Sequence, residues 1–169
     1  GGLAGDAITD GHLNTALGYA ALSADTRGQR AVAVGGLALA NQNITTESES
    51  YNTAVGYNAG GSVTTGTQNT IVGGLAADAI TDGTRNVAVG YAALTTDTRG
   101  QRSTAIGYGA LADQNLTTAT TTYNTAVGYN AGGAITTAVR TTIVGALAGD
   151  AATTGERNVA LGYAALSAD

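Results

Sequence analysis

His12 is the one imidazole in this 169-residue chain, and there is no cysteine. A nucleophile–base pair would have to be built from hydroxyls, carboxylates and that single ring. Its counterpart in the next copy of the chain's internal repeat is Thr84, so the ring is not part of what repeats, and a solvated surface histidine is the expectation. The common zinc ligand sets need more Cys or His than the chain has. No G-x-S-x-G, P-loop or G-x-G-x-x-G string occurs. The reading is of a protein that is not an enzyme, with no catalytic residue, no cofactor and no metal.

Carboxylates offer calcium chemistry. Asp6, Asp78 and Asp150 share one register, and Asp25, Asp97 and Asp169 another. Neither register is acidic in every repeat, and the glycine-aspartate nonapeptide of calcium-binding β-rolls is missing. All seven cations are arginines, and Arg30, Arg85, Arg102, Arg140 and Arg157 fall at one repeat position. That stripe could take an anion or an acidic glycan, but a solvated edge with carboxylate partners is the simpler reading. With a net charge of −5, nucleic acid is not an expected partner. Two N-x-T sequons, at Asn43 and Asn115, lie one repeat apart. They are the candidate glycosylation sites.

All of these residues are placed by a repeat. One motif recurs in variants such as NTALGYAA from Asn14, NTAVGYNA from Asn52 and NVAVGYAA from Asn86. Its glycines are Gly1, Gly18, Gly35, Gly56, Gly73, Gly90, Gly107, Gly128, Gly145 and Gly162, spaced 17, 17, 21, 17, 17, 17, 21, 17 and 17. Residues 1–72 align with 73–144 without gaps, matching at 48 positions, and 145–169 open a third copy. The chain therefore reads as one repetitive domain over 1–169, a window of something longer, with a 72-residue super-repeat of four coils.

A 17-residue coil rich in Val, Ile, Thr and Tyr suits a β-solenoid turn, and the fold class expected is an all-β parallel β-solenoid or β-roll of about ten coils. A second glycine rank, including Gly11, Gly28, Gly66, Gly83, Gly100 and Gly155, precedes the motif glycines by seven positions. Both ranks are expected at tight turns or at φ > 0. Along the motif strand, Thr53, Val55 and Tyr57 share one face, and Asn52, Ala54 and Gly56 the other. Neither face is charged in any copy, so both should be covered, one by the coil's own core and one by another chain. The 21-residue coils should bulge outward at 41–50 and 113–122, exposing Asn43 and Asn115. Stacking of successive short coils places Asp10 beneath Arg27 and Asp82 beneath Arg99, close enough for ion pairs.

The N-x-A-hydrophobic-G core of NTAVGYNAG and NVAVGYAAL resembles the head repeats of trimeric autotransporter adhesins, and similar repeats of bacteriophage tail fibres and bacterial surface fibre proteins. The resemblance runs over the whole chain. It implies a left-handed parallel β-roll, an extracellular or cell-surface location and self-association, with a trimer as one form. The 17- and 21-residue coils are longer than usual adhesin head coils. No stretch is apolar enough to span a membrane. The function expected is a structural extracellular fibre that could display glycans on its long coil. The alternative is an adhesin head or tail-fibre shaft that binds a receptor. Side-by-side association and end-to-end stacking of strand edges are the partner expectations. An ice-binding solenoid is the weaker reading of the 28 threonines, since pairs such as Thr64–Thr65 are adjacent in sequence.

Overall fold

The computed structural model describes residues 1–167 and is all-β over that range. Nine three-residue strands form one continuous parallel sheet. They are Thr15–Leu17, Val32–Val34, Thr53–Val55, Thr70–Val72, Val87–Val89, Thr104–Ile106, Thr125–Val127, Thr142–Val144 and Val159–Leu161. Each pairs with the next in chain order, so the chain is a parallel β-solenoid with one such strand per coil. Thr53 pairs with Thr70, an advance of 17, and Val32 pairs with Thr53, an advance of 21. The sheet thus runs through the long coils without losing register.

The four additional residues are absorbed elsewhere. The Arg27 amide bonds to the Ile44 carbonyl, while Gly28 pairs with Ser48 in a small two-stranded sheet. Residues 45–47 are therefore extruded, and 117–119 likewise, since Gly100 pairs with Thr120; the fourth residue is taken up between the Gln29–Glu49 and Val32–Thr53 pairs, and between Gln101–Thr121 and Thr104–Thr125. The bulges are narrower than the expected ranges. The flanking residues remain in the ladder, and the amides of Asn43 and Asn115 bond to the carbonyls of Thr64 and Thr136.

The core is thin because small residues line it. Ala33, Ala54, Ala88, Ala105 and Ala126 point inward at mid-strand and are fully buried. Leu22, Leu39, Leu94 and Leu111 fill the opposite wall. Where the strand residue enlarges to Ile71 or Ile143, the facing wall shrinks. A Cβ on Gly60 would lie 2.8 Å from Ile71, and one on Gly149 would lie 2.6 Å from Ile143. Volume is conserved coil against coil, which close-packed interiors demand.

The two glycine ranks have different reasons. Motif glycines adopt positive φ, as at Gly56 (138°), and a Cβ there would sit 2.6 Å from the backbone of Gly73 in the next coil. The second rank is not in the left-handed region. It is glycine because of close approach: a Cβ on Gly11 would lie 2.6 Å from the Gly28 carbonyl oxygen. Most positive-φ residues in the coils are not glycine at all. Leu39, Leu94, Leu111 and every arginine of the Arg30–Arg157 column adopt φ between 49° and 61°. Their amides are tied to neighbouring coils, as Leu39 to Ala59 and Arg30 to His12, and the stack holds them in a conformation that side chains disfavour.

Replacing Gly56 by alanine should lower the unfolding free energy by roughly 2 kcal/mol or more, because φ and space both oppose the methyl group. Gly36→Ala, with nothing nearer than the Tyr57 ring at 3.7 Å, should change it by about 0.5 kcal/mol or less. Denaturant unfolding of both variants tests this; equal effects would contradict the assignment.

Candidate functional site

The most organised polar groups lie inside the solenoid. One position before each strand, a column of asparagines points inward, and Asn52, Asn69, Asn86 and Asn124 are fully buried. Each side chain serves the next coil. The Asn69 amide group donates to the Gly83 carbonyl at 2.9 Å, and its Oδ1 accepts the Asn86 backbone N–H at 2.9 Å. Asn14, Asn52, Asn86 and Asn124 repeat the pattern. The backbone groups so paired lie where the chain turns into the strand and has no ladder partner, so the side chain completes the ladder.

The column lapses at Ala31, Ser103 and Thr141, and the first two of these belong to the coils just before the 21-residue ones. There two polar residues stack in a core column otherwise occupied by Ile8, Val63, Ile80, Ile135 and Ala152. They are Asp25 with Gln42, and Asp97 with Gln114, all fully buried. Asp97 Oδ1 accepts the N–H groups of Gly100 (3.0 Å) and Leu116 (3.1 Å), and Oδ2 accepts from Gln114 at 2.5 Å. Gln114 in turn accepts from Asn124 at 2.7 Å. Asp25, Gln42 and Asn52 repeat the arrangement. One carboxylate thereby pins both the turn of its own coil and the residue that precedes the bulge. Burial is the larger influence on Asp97 and pushes its carboxyl up from the usual range, against the opposing pull of its N–H donors. The signal was present in the sequence: Asp–Gln interrupts an apolar column once in each super-repeat.

The other predicted residues sit at the surface or in the turns. Arg27 meets Asp10 at 3.0 Å, and Arg99 meets Asp82 at 2.6 Å, each pair one coil apart and largely exposed. Exposed pairs of this kind contribute about 0–1 kcal/mol. The Arg99 hydrogen bond holds the Asp82 carboxyl below its ordinary value. Motif glycines Gly18, Gly35, Gly73, Gly90, Gly107, Gly128, Gly145 and Gly162 all share the positive φ of Gly56. Asn43 is exposed, but Asn115, expected to be exposed, is only half so because its Oδ1 is buried. His12 is exposed.

The arginine column is broken by aromatics. Arg30 lies over the Tyr51 ring and Arg102 over Tyr123, both at 5.5 Å, and Arg30 also pairs with Glu49. Asp150 lines a cleft of about 290 Å³ with Asp113, Asn130 and Leu147. Asp78, in the same register, accepts from Thr95 at 2.5 Å. Among the described residues no group of three or more His, Cys, Asp or Glu could hold a metal ion, and Asp169 lies outside them. No helix among the described residues is long and apolar enough to cross a membrane.

The outer face of the long sheet is a continuous uncharged surface. Thr53, Val55 and Tyr57 and their equivalents point outward, and no coil places a charge in these three columns. Val55 and Ile106 are each 38% exposed and Tyr57 is 63% exposed. Tyr91, Tyr108 and Tyr129 stack with centroids 5.3 and 5.4 Å apart. Their faces cover one another, so the stripe presents ring edges outward.

Asn69→Ala strands the Asn86 N–H and the Gly83 carbonyl in the interior and should cost about 2–4 kcal/mol in chemical denaturation. A cost below about 1 kcal/mol would show that the ladder is dispensable. For Asp97 the folded carboxyl titrates above its unfolded value. Its stability contribution is full below the unfolded pKa of about 4 and is lost as pH rises through the folded pKa. The stability of the native protein relative to Asp97→Asn should therefore fall with rising pH across that window; a rise would contradict it.

No protein-family model, curated protein or solved structure matches this chain, and the reading of its function rests on this geometry.

Proposed function

We propose that the chain is a shaft segment of an extracellular structural fibre, with no catalytic role. The observation that carries this reading is the register. Nine strands stack in one parallel sheet across coils of two lengths, and the additional residues are taken up outside that sheet, three of the four by extrusion, so that the stack continues. Such an arrangement makes a rod of constant section whose length grows with coil number, at about 4.8 Å per coil. Its interior is given over to holding coil on coil. The uncharged outer face supports side-by-side association of chains, and open strand edges support end-to-end stacking.

The bulges at 45–47 and 117–119 supply a second element. They are rich in Thr, with Glu and Ala, stand next to the two sequons, and recur one super-repeat apart, about 19 Å along the rod. They are the natural position for glycans, on exposed Asn43 before half-buried Asn115 and on neighbouring Thr. The same bulges favour the second reading, an adhesin head or tail-fibre shaft whose receptor contacts are these projecting loops.

Cryo-electron microscopy of native material, with glycopeptide mass spectrometry on the same sample, tests both parts. Straight filaments are expected, with axial spacings of about 4.8 Å for the coil and about 19 Å for the four-coil unit. Sugar is expected at Asn43 or on Thr45–Thr46. Dispersed particles without axial order would sink the fibre, and bare peptides at both bulges would sink the glycan display.

A further inference from the structure

The outer sheet face is unpartnered, and its texture says what would cover it. Three columns make it up: Thr or Val at the strand start, Val, Leu or Ile at its end, and the residue after the motif glycine. That last column reads Gly2, Tyr19, Gly36, Tyr57, Gly74, Tyr91, Tyr108, Tyr129, Ala146, Tyr163. Tyrosine stands on every second coil, and all but one of the intervening coils carry Gly or Ala. Ridges therefore recur about 9.6 Å apart with a gap one coil wide between them. The face is about 43 Å long and carries three outward columns, two on the three-residue strands and one on the turn beyond the motif glycine, a strip of several hundred Å² against the roughly 800 Å² per partner of a standard interface. The strip is uncharged throughout, with an aliphatic central column between threonine-rich and tyrosine-rich ones, the texture of a contact surface.

We infer that this face binds a second copy of the chain, face to face and with the two solenoid axes antiparallel. The inference deepens the fibre reading and rests on it. Orientation follows from symmetry. If the two-fold axis ran along the solenoid, the tyrosine column of one copy would face the Thr/Val column of the other. A two-fold axis along the strand direction keeps each column opposite itself and reverses the solenoids. When that axis passes between two coils, odd coils always face even ones, so tyrosines face gaps. With the axis between the coils of Gly73 and Gly90, Tyr91 enters the gap at Gly74 of the second copy. Tyr129 enters at Gly36, and Tyr19 enters at Ala146. Tyr57 meets Tyr108, the one aromatic pair across the interface. The contact is isologous and closed, and being uncharged on both sides it buries no unpaired ion.

Val55 and Ile106 of the central columns then face each other across the two copies. Both point outward, so Val55→Lys and Ile106→Glu should leave the β circular-dichroism signature and melting unchanged. Sedimentation velocity of the native chain should show a dimer, and each variant should dimerise at least tenfold more weakly. A 1:1 mixture of the two should recover the dimer, because the introduced ammonium of one variant then meets the introduced carboxylate of the other. The chain has no cysteine, so single Cys labels are clean. Spin labels at Thr70→Cys should lie close together in the dimer. Those at Thr15→Cys should lie about 34 Å apart along the axis, seven coils at about 4.8 Å each.

A monomer, a trimer, equal distances at the two label sites, or a mixture that fails to recover would each overturn the antiparallel pair. A monomer that still forms filaments one solenoid wide would overturn the pair and leave the fibre standing. A dimer that never forms filaments would do the reverse.

Discussion

Every coil must place its backbone where the coil before it placed its own, and the motif glycines mark where that demand is strictest. At Gly56 the next coil's backbone stands where a side chain would begin, 2.6 Å from an ideal Cβ. The column is glycine because backbone packs on backbone there, and the positive φ comes with it. Once that contact fixes the stacking, equivalent residues of successive coils share φ and ψ, and the remaining requirements pass down the column. The inner strand residue must be small or be matched by a smaller wall, as Ile71 is by Gly60. The turn before the strand must find hydrogen-bond partners one coil away, which the asparagines supply.

Periodicity made the gross structure legible. Glycine spacing gave the coil length, alternation along NTAVGY gave the inward and outward faces, and the one-coil offset put Arg27 on Asp10. Leucines and arginines at positive φ were not legible, because their intrinsic preference is against it. Only the bonds of Leu39 to Ala59 and Arg30 to His12, formed in the assembled stack, hold them there. Asp25 and Asp97 were read only as a register of carboxylates, because aspartate is seldom fully buried; the spacing that sets Gln42 and Gln114 beside them in an otherwise apolar column was the signal of an interior pair. The two bulges were drawn too wide because Asn43 and Asn115 still serve the ladder. Glycine periodicity alone also could not separate strain from crowding, which is why Gly11 and Gly56 looked alike.

The buried Asp–Gln–Asn chain shows how the solenoid tolerates a coil of different length. A four-residue insertion would orphan amides on either side of it. Asp97 collects two of them, at Gly100 and Leu116, and hands its remaining capacity to Gln114 and so to Asn124. A fully satisfied buried network fixes one geometry where an apolar substitute would allow several. The insertion is thereby confined to one corner, and the sheet beside it is undisturbed.

The hydrogen bonds between coils, from strands and asparagines alike, run along the long axis of the rod. Tension applied at its two ends therefore pulls each ladder open from one edge and does not slide strands past one another. A short coil that lets go releases roughly 55–60 Å of extended chain for about 4.8 Å of rod. The rod is in that sense a stack of folded reserves, each able to extend about tenfold once it is released.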